Sequence, residues 1–262
     1  MPGSRPSFDR RELAGPFDIV GDVHGCCDEL EQLLEALGYD VAWSGDRVIV
    51  TPPAGRTLVF VGDLVDRGPR SPDVLRIAMA MAEAGTALCV EGNHDNKFGR
   101  WLSGANLKTG HGLQASIDQM AAENPAFKAK VRSFIASLPP YLWLDGGKLV
   151  IAHAGLKPEM IGQGGGKVRS FALYGDTTGE TDGYGSPVRR NWALEHPGEP
   201  AIVYGHVAGM ELQAVNNTWC LDTGCCFGGA LTALRWPEQE LVSVPATRIH
   251  FEAHRPLEDR TR

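Results

Sequence analysis

The chain has 262 residues, 43% of them hydrophobic and 22% charged, which is ordinary globular composition with enough length for one substantial core. A formal charge of -7 excludes a surface that coats nucleic acid at large, so any polyanion has to be gripped by a local cationic pocket. No run is long and apolar enough to span a bilayer, and residues 1–11 lack the hydrophobic stretch of a secretory signal, so a cytoplasmic protein with no membrane partner is expected. The six cysteines, which include the adjacent pairs Cys26-Cys27 and Cys225-Cys226 but no CxxC repeat, read as reduced thiols that pack inside the protein.

Residues 1–16, with Pro2, Gly3, Pro6 and a charged run at 9–12, read as a flexible leader, and order is expected to begin at Phe17. Strands are predicted at 17–20, 47–50, 57–61 and 87–90 from short apolar or β-branched runs. Between them, Leu30, Leu33, Leu34 and Leu37 recur at helical spacing and stop at Gly38. Pro72 can open a second helix that carries Val74, Leu75, Ile77, Ala78 and Met81 toward Gly85. Further helices are predicted at 95–102, 112–122 and 125–138, the last ended by Pro139-Pro140. Strands follow at 149–152, 201–204, 218–221, 230–236 and 240–244, so the fold is α/β in the broad sense (α+β), with layered, mixed sheets. The weakly periodic stretch 162–187 reads as a long loop bordering a site. The Gly-rich run from Gly162 to Lys167 is no nucleotide-binding loop, because only three residues precede its Gly-Lys pair and Val168 follows. The domain is therefore drawn at 17–245, with 246–262 as a peripheral charged tail.

Short polar motifs follow five of these strands: Gly21-Asp22-Val23-His24-Gly25, Gly62-Asp63-Leu64-Val65-Asp66-Arg67-Gly68, Gly92-Asn93-His94-Asp95, and the single His153 and His206. A strand end is a rigid mount and a glycine beside it lets the backbone turn, so repetition at several strand ends converges ligands. Asp22 and His24 can point at one cation, Asp63 has two oxygens with which to bridge two, and Asn93, His153 and His206 complete a mixed oxygen and nitrogen set. Such donors suit manganese, iron, zinc or nickel better than magnesium, which prefers carboxylates and water. Two divalent ions about 3.5–4 Å apart would stabilise attacking and leaving oxygens together and lower the pKa of an attacking water. Arg67 can fork onto phosphate oxygens, His94 can protonate a leaving oxygen, and Asp66 can hold the His94 ring. Asp222, closing a strand, is assigned both a supporting place at the metal site and a turn role. The basic residues Lys167, Arg169, Arg189 and Arg190, with Trp192 nearby, read as a solvated charged face.

In order and spacing these motifs resemble the calcineurin-like metallophosphoesterases of the phosphoprotein phosphatase type. Residues 87–95, 174–181 and 221–229 look in particular like the phosphatase domain of bacterial polynucleotide kinase-phosphatases. The resemblance implies a four-layer αββα sandwich with two mixed sheets. It also implies a binuclear manganese-type centre held by Asp22, His24, Asp63, Asn93, His153 and His206, with Arg67, His94, Asp66 and Asp222 assisting. Its substrates would be 2' or 3' phosphates of nucleic-acid ends, or nucleotides. The kinase and ligase-like modules that accompany that domain are not in this chain, so a separate kinase or ligase partner is one expectation. Symmetrical diadenosine tetraphosphatases share the GDVHGC opening, so they and serine/threonine protein phosphatases stand as alternatives, with a catalytically silent metal-binding module as a third.

Overall fold

The computed structural model describes residues 7–254 and residue 257, so residues 1–6 of the expected leader and residues 255, 256 and 258–262 of the expected tail lie outside the described residues. In chain order the elements are β1 (Phe17–Val20), α1 (Cys27–Ala36), β2 (Asp40–Ser44), β3 (Arg47–Thr51), β4 (Thr57–Phe60), α2 (Ser71–Glu83), β5 (Ala87–Cys89), α3 (Asn93–Leu102), α4 (Leu113–Ala121) and α5 (Pro125–Ser137). There follow β6 (Tyr141–Leu144), β7 (Leu149–Ala152), α6 (Gly166–Tyr174), β8 (Thr177–Thr181), β9 (Pro187–Arg189), β10 (Ala201–Tyr204), β11 (Gln213–Val215), β12 (Thr218–Cys220), β13 (Ala230–Trp236) and β14 (Glu240–Pro245).

Two five-stranded mixed sheets form, ordered β14-β13-β1-β4-β5 and β11-β12-β10-β7-β6. Within each, three adjacent strands run parallel: β1, β4 and the edge strand β5 in the first, β7, β10 and β12 in the second. Antiparallel strands flank them on one or both sides.

Side chains alternate across a strand, so a sheet buried on both faces has to be apolar at nearly every position. In β4, Leu58 and Phe60 face the helices α1 to α5, while Val59, joined by Val61 just beyond the strand, faces the other sheet. In β7, Leu149 and Ile151 face the first sheet, while Val150 and Ala152 pack outward against Val168, Phe171 and Ala172 of α6 and against Trp192. Three apolar layers thus alternate with four structural ones, which is the αββα sandwich. Wholly buried side chains such as Leu58 and Phe60 are each worth about 1.5–3 kcal/mol. None of the helices among the described residues is long and apolar enough to cross a membrane.

Three expectations change. Residues 7–16 are not loose: Phe8 is buried and stacks on Tyr141 with ring centroids 4.6 Å apart, Asp9 bridges to Trp143, and the Arg11 guanidinium lies 4.0 Å over the Trp143 ring. Residues 246–254 are tied down as well, since Ala246 N–H donates to the Gly229 carbonyl and Thr247 donates to Glu29 through both its N–H and its hydroxyl. The stretch 162–187 is not a bare loop, because it holds α6 and the first strand of the hairpin β8–β9. No position of the hairpin is buried, which hides it from a search for apolar alternation.

One position in β1 carries charge inside the core. Asp18 is fully buried, accepts from Tyr39 Oη at 2.9 Å and from Arg56 Nε at 2.9 and 3.0 Å, and faces Arg235 Nε at 3.5 Å. Removing one partner of a buried ion pair leaves the other's charge uncompensated. Asp18→Ala is therefore expected to lower unfolding free energy by about 3–5 kcal/mol in urea denaturation, and a loss below about 1 kcal/mol would mean that water reaches Arg56.

Candidate metal centre

Every motif residue sits just past the carboxyl end of a parallel strand. Asp22 and His24 follow β1, Asp63 follows β4, Asn93 and His94 follow β5, His153 follows β7, His206 follows β10 and Asp222 follows β12. The two sheets present these ends to one another, so the side chains meet in the groove between them.

Backbone geometry makes the meeting tight. His24, Asp63, Asp66, Arg67 and His206 all have positive φ, between 47° and 75°, a region that non-glycine residues seldom enter and that costs of order 1–3 kcal/mol each. Glycine is required beside them for space: a Cβ at Gly92 would collide with the Asp63 backbone and carboxylate, and one at Gly205 would collide with Asp22 Oδ1.

Hydrogen bonds fix the histidine tautomers. Nδ1 of His24 lies 2.9 Å from the Val65 carbonyl, and Nδ1 of His153 lies 3.1 Å from the Val61 carbonyl. A carbonyl only accepts, so each Nδ1 carries the proton and each Nε2 of a neutral ring offers a lone pair. That of His153 faces Asn93 Oδ1 at 2.9 Å, His206 Nδ1 at 3.1 Å and Asp63 Oδ2 at 3.3 Å. His206 Nδ1 is in turn 2.8 Å from Asn93 Oδ1. Oxygen and nitrogen lone pairs packed this closely repel unless a proton or a cation lies among them. Asp22 accepts the His206 backbone N–H at 3.0 Å through Oδ2, while its buried Oδ1 has no hydrogen-bond partner among the described residues. On the other side of Asp63, the groups His24, Asp63 and His94 also come within 4.8 Å of one another. The donors therefore fit two cations that share Asp63.

The charges follow the same logic. Burial opposes ionisation of Asp63, but His153 and His94 outweigh it and hold its carboxyl well below the usual range. Burial, with Asp222 close by, pushes Asp22 well up. For His153 burial favours the neutral ring, yet Asp63 and Asp22 raise its pKa to about 9. Burial lowers His24 and His206, reinforced by Arg67 and by His153 respectively.

Arg67 divides its fork between the histidines, with Nη1 2.6 Å from His24 Nε2 and Nη2 3.1 Å from His94 Nε2. His94 Nδ1 lies 2.6 Å from Asp66 Oδ2, and its backbone N–H donates to Asp63 Oδ1 at 2.9 Å. Asp222 Oδ1 accepts the Gly224 N–H at 3.2 Å, a turn contact, while its charge acts on both Asp22 and Arg67.

The Calcineurin-like phosphoesterase family matches residues 15–210. The chain belongs to that family. The phosphoesterase is 44% identical over 247 residues to a protein of Anoxybacillus flavithermus named bis(5'-nucleosyl)-tetraphosphatase PrpE, asymmetrical, covering 92% of this chain and 99% of that one. A Bacillus subtilis protein of the same name is 41% identical over 246 residues, with the same coverage of both chains. Among solved structures, an inferred diadenosine tetraphosphatase superposes with a TM-score of 0.66 at 27% identity, over 91% of this chain and 96% of that one. A Saccharomyces cerevisiae serine/threonine phosphatase shares the fold, with a TM-score of 0.56 at 14% identity over 94% of this chain and 82% of that one. The phosphoesterase is accordingly a metal-dependent phosphoric ester hydrolase. Both of these relatives carry the asymmetrical designation, not the symmetrical one that the GDVHGC opening suggests as an alternative.

A cleft of about 350 Å³ opens over Asp63, Asn93, His94 and His206, and Lys97, Arg189 and Tyr174 stand on its walls. A larger cavity of about 530 Å³ lies behind α3, lined by Glu91, Arg100, Arg132 and Arg169, and contains no candidate metal ligand. The chemistry belongs to the smaller one. Arg189, read from sequence as part of a solvated face, is a cleft residue because β9 carries it there. Of its neighbours in that reading, Trp192 is buried in the outer core and Arg169 is spent on Glu91 at 2.6 and 3.0 Å.

Asp95, the last residue of the Gly92-Asn93-His94-Asp95 motif, has a role that the motif alone does not assign. It is fully buried, accepts the N–H groups of Leu64 at 2.9 Å and Gly92 at 3.1 Å, and so ties the β4 turn to the start of α3; burial, with Asp63 adding, raises its pKa to about 7. Its offset from Gly92, that of a capping carboxylate three residues in, was the available signal.

Because the pKa of His153 is raised, its ring holds a proton at pH 7 that an entering cation has to displace. Apparent Mn²⁺ affinity is thus expected to rise by up to about tenfold per pH unit until about pH 9, where the ring titrates. Calorimetry at pH 7 in two buffers of different ionisation heat should show net proton release; identical heats would place no proton at His153.

Proposed function

We propose that the phosphoesterase hydrolyses dinucleoside tetraphosphates asymmetrically, using two divalent cations, manganese first, held by Asp22, His24, Asp63, Asn93, His153 and His206. The observation that carries this is near full-length identity of 41–46% to proteins that bear that name. The cleft supports it: an elongated, highly charged substrate needs cations beyond the centre itself, and Lys97 and Arg189 supply them in a chain whose net charge is -7.

When bound, the cations would polarise a phosphoryl oxygen and lower the pKa of the attacking water. The chain's own groups do the rest. Arg67, half-buried and at a positive φ of 70°, aims two donors where charge builds on the phosphoryl oxygens. His94 can deliver a proton from Nε2 to the departing oxygen while Asp66 holds Nδ1 and stabilises the charged ring. Lys97 and Arg189 bind the outer phosphates and so decide which phosphorus lies over the centre.

The His94–Asp66 pair also favours a second reading, a phosphomonoesterase acting on nucleotides or nucleic-acid ends. An alkoxide leaving group needs a proton, whereas the phosphate of an anhydride leaves well without one.

Manganese-loaded protein is expected to convert diadenosine tetraphosphate to ATP and AMP. Two molecules of ADP would mean symmetrical cleavage, and release of phosphate from a 3'-phosphate oligonucleotide alone would select the second reading. Arg67→Ala should lower kcat by about 10²–10³-fold. His94→Ala should cost about 10²–10⁴-fold on an alkyl phosphate but far less on p-nitrophenyl phosphate, and equal losses on both would remove His94 from proton transfer.

A further inference from the structure

Glu29 is a wholly buried carboxylate in the first turn of α1 that the centre does not use. Its Oε1 accepts from Thr247 N–H at 2.9 Å, from Thr247 Oγ1 at 2.7 Å and from His250 Nε2 at 2.9 Å. Both His250 and Phe251 donate their N–H groups to the Cys226 carbonyl, at 3.0 and 2.9 Å. These bonds fold residues 246–251 back over the turn that follows β12. Gly228 leaves room for this, since a Cβ there would press within 2.8 Å of Ile249 Cγ1.

The fold-back places rings on one wall of the cleft. Starting at Arg67, whose guanidinium lies 5.0 Å from the Phe227 ring, centroid distances run 6.4 Å from Phe227 to Phe251, 5.9 Å from Phe251 to His254 and 5.4 Å from His254 to His111. The loop closes on itself, because the residue after His111, Gly112, accepts the Arg67 N–H at 3.3 Å. All four rings line the cleft that opens over Asp63 and His94, and none of them is among the candidate metal ligands.

We propose that these rings, Phe227, Phe251, His254 and His111, form the seat of a nucleobase, built by the C-terminal segment and fastened in place by Glu29. The inference rests on the dinucleotide reading of the substrate and adds where one base lies. Aromatic faces accept any base by stacking, and the two imidazoles add edge groups that can donate or accept a hydrogen bond. The rings adjoin Arg67, so a base seated on them belongs to a nucleotide whose phosphate reaches the centre. A bare phosphate ester of small size would leave the wall untouched.

The test compares Mn²⁺-loaded wild type with Phe251→Ala, His254→Ala and Phe251→Trp on diadenosine tetraphosphate, inorganic tetraphosphate and p-nitrophenyl phosphate, together with calorimetric binding of AMP and of inorganic phosphate. Phe251→Ala is expected to raise KM for the dinucleotide about tenfold and leave kcat and both base-free substrates within about twofold, with Phe251→Trp restoring KM. His254→Ala should move KM in the same direction. An unchanged KM for the dinucleotide, or parallel losses on all three substrates, overturns the proposal. If wild type cleaves no dinucleotide, AMP binding decides: AMP bound more tightly than phosphate in wild type but not in Phe251→Ala keeps the base seat while the tetraphosphatase reading falls, and equal binding of the two ligands overturns the seat as well.

Discussion

Lone pairs that face each other in a buried pocket repel, and this chain brings them together from five strand ends. His153 Nε2 lies 2.9 Å from Asn93 Oδ1 and 3.3 Å from Asp63 Oδ2, and the carbonyls of Val61 and Val65, just past β4, engage Nδ1 of His153 and of His24 so that each Nε2 turns inward. Such a pocket is stable only with positive charge inside it. Much else in the molecule serves that arrangement: parallel strands that end together, turns forced to positive φ, glycines where a methyl group would strike a carboxylate, and an arginine that divides its donors between two histidines. The backbone strain in the turns is offset by the packing of the two sheets, whose shared core lies directly beneath the groove.

Much of this was legible in the sequence because it depends on local rules. A buried parallel strand reads as a short apolar run, and a functional turn after it reads as glycine beside a metal-binding residue. Both survive in single motifs such as residues 17–25 and 57–68. The joining of those motifs across the groove was visible only through repetition and resemblance, since no local rule says that His153 and His206 come from neighbouring strands of the second sheet.

What stayed hidden was hidden for physical reasons. The hairpin β8–β9 buries no residue, so it carries no alternation to read, yet it delivers Arg189 to the cleft. Phe8 and Phe251 sit in charged or polar surroundings in sequence, and their partners Tyr141 and Phe227 come from other elements of the fold. Glu29 is the sharpest case. On a leucine-rich helix it reads as one of the solvated faces, but its partners are Thr247 and His250, more than two hundred residues on. Short-range periodicity has no means of registering a contact of that span.

The place of β13 in the first sheet bears on how the molecule is made. β1, the strand that leads into Asp22 and His24, pairs on one side with β4 and on the other with β13, which begins at Ala230. While the chain emerges from the ribosome, one edge of β1 therefore stays open until more than two hundred further residues have been synthesised, and His206 arrives only shortly before β13. Pairings of such sequence separation form slowly, and an unpaired apolar strand edge invites association with other chains. Completion of the ligand set and closure of its sheet are thus late and closely spaced events, and a nascent chain that has just gained His206 carries all six ligands while the strand that closes β1 is still to be made.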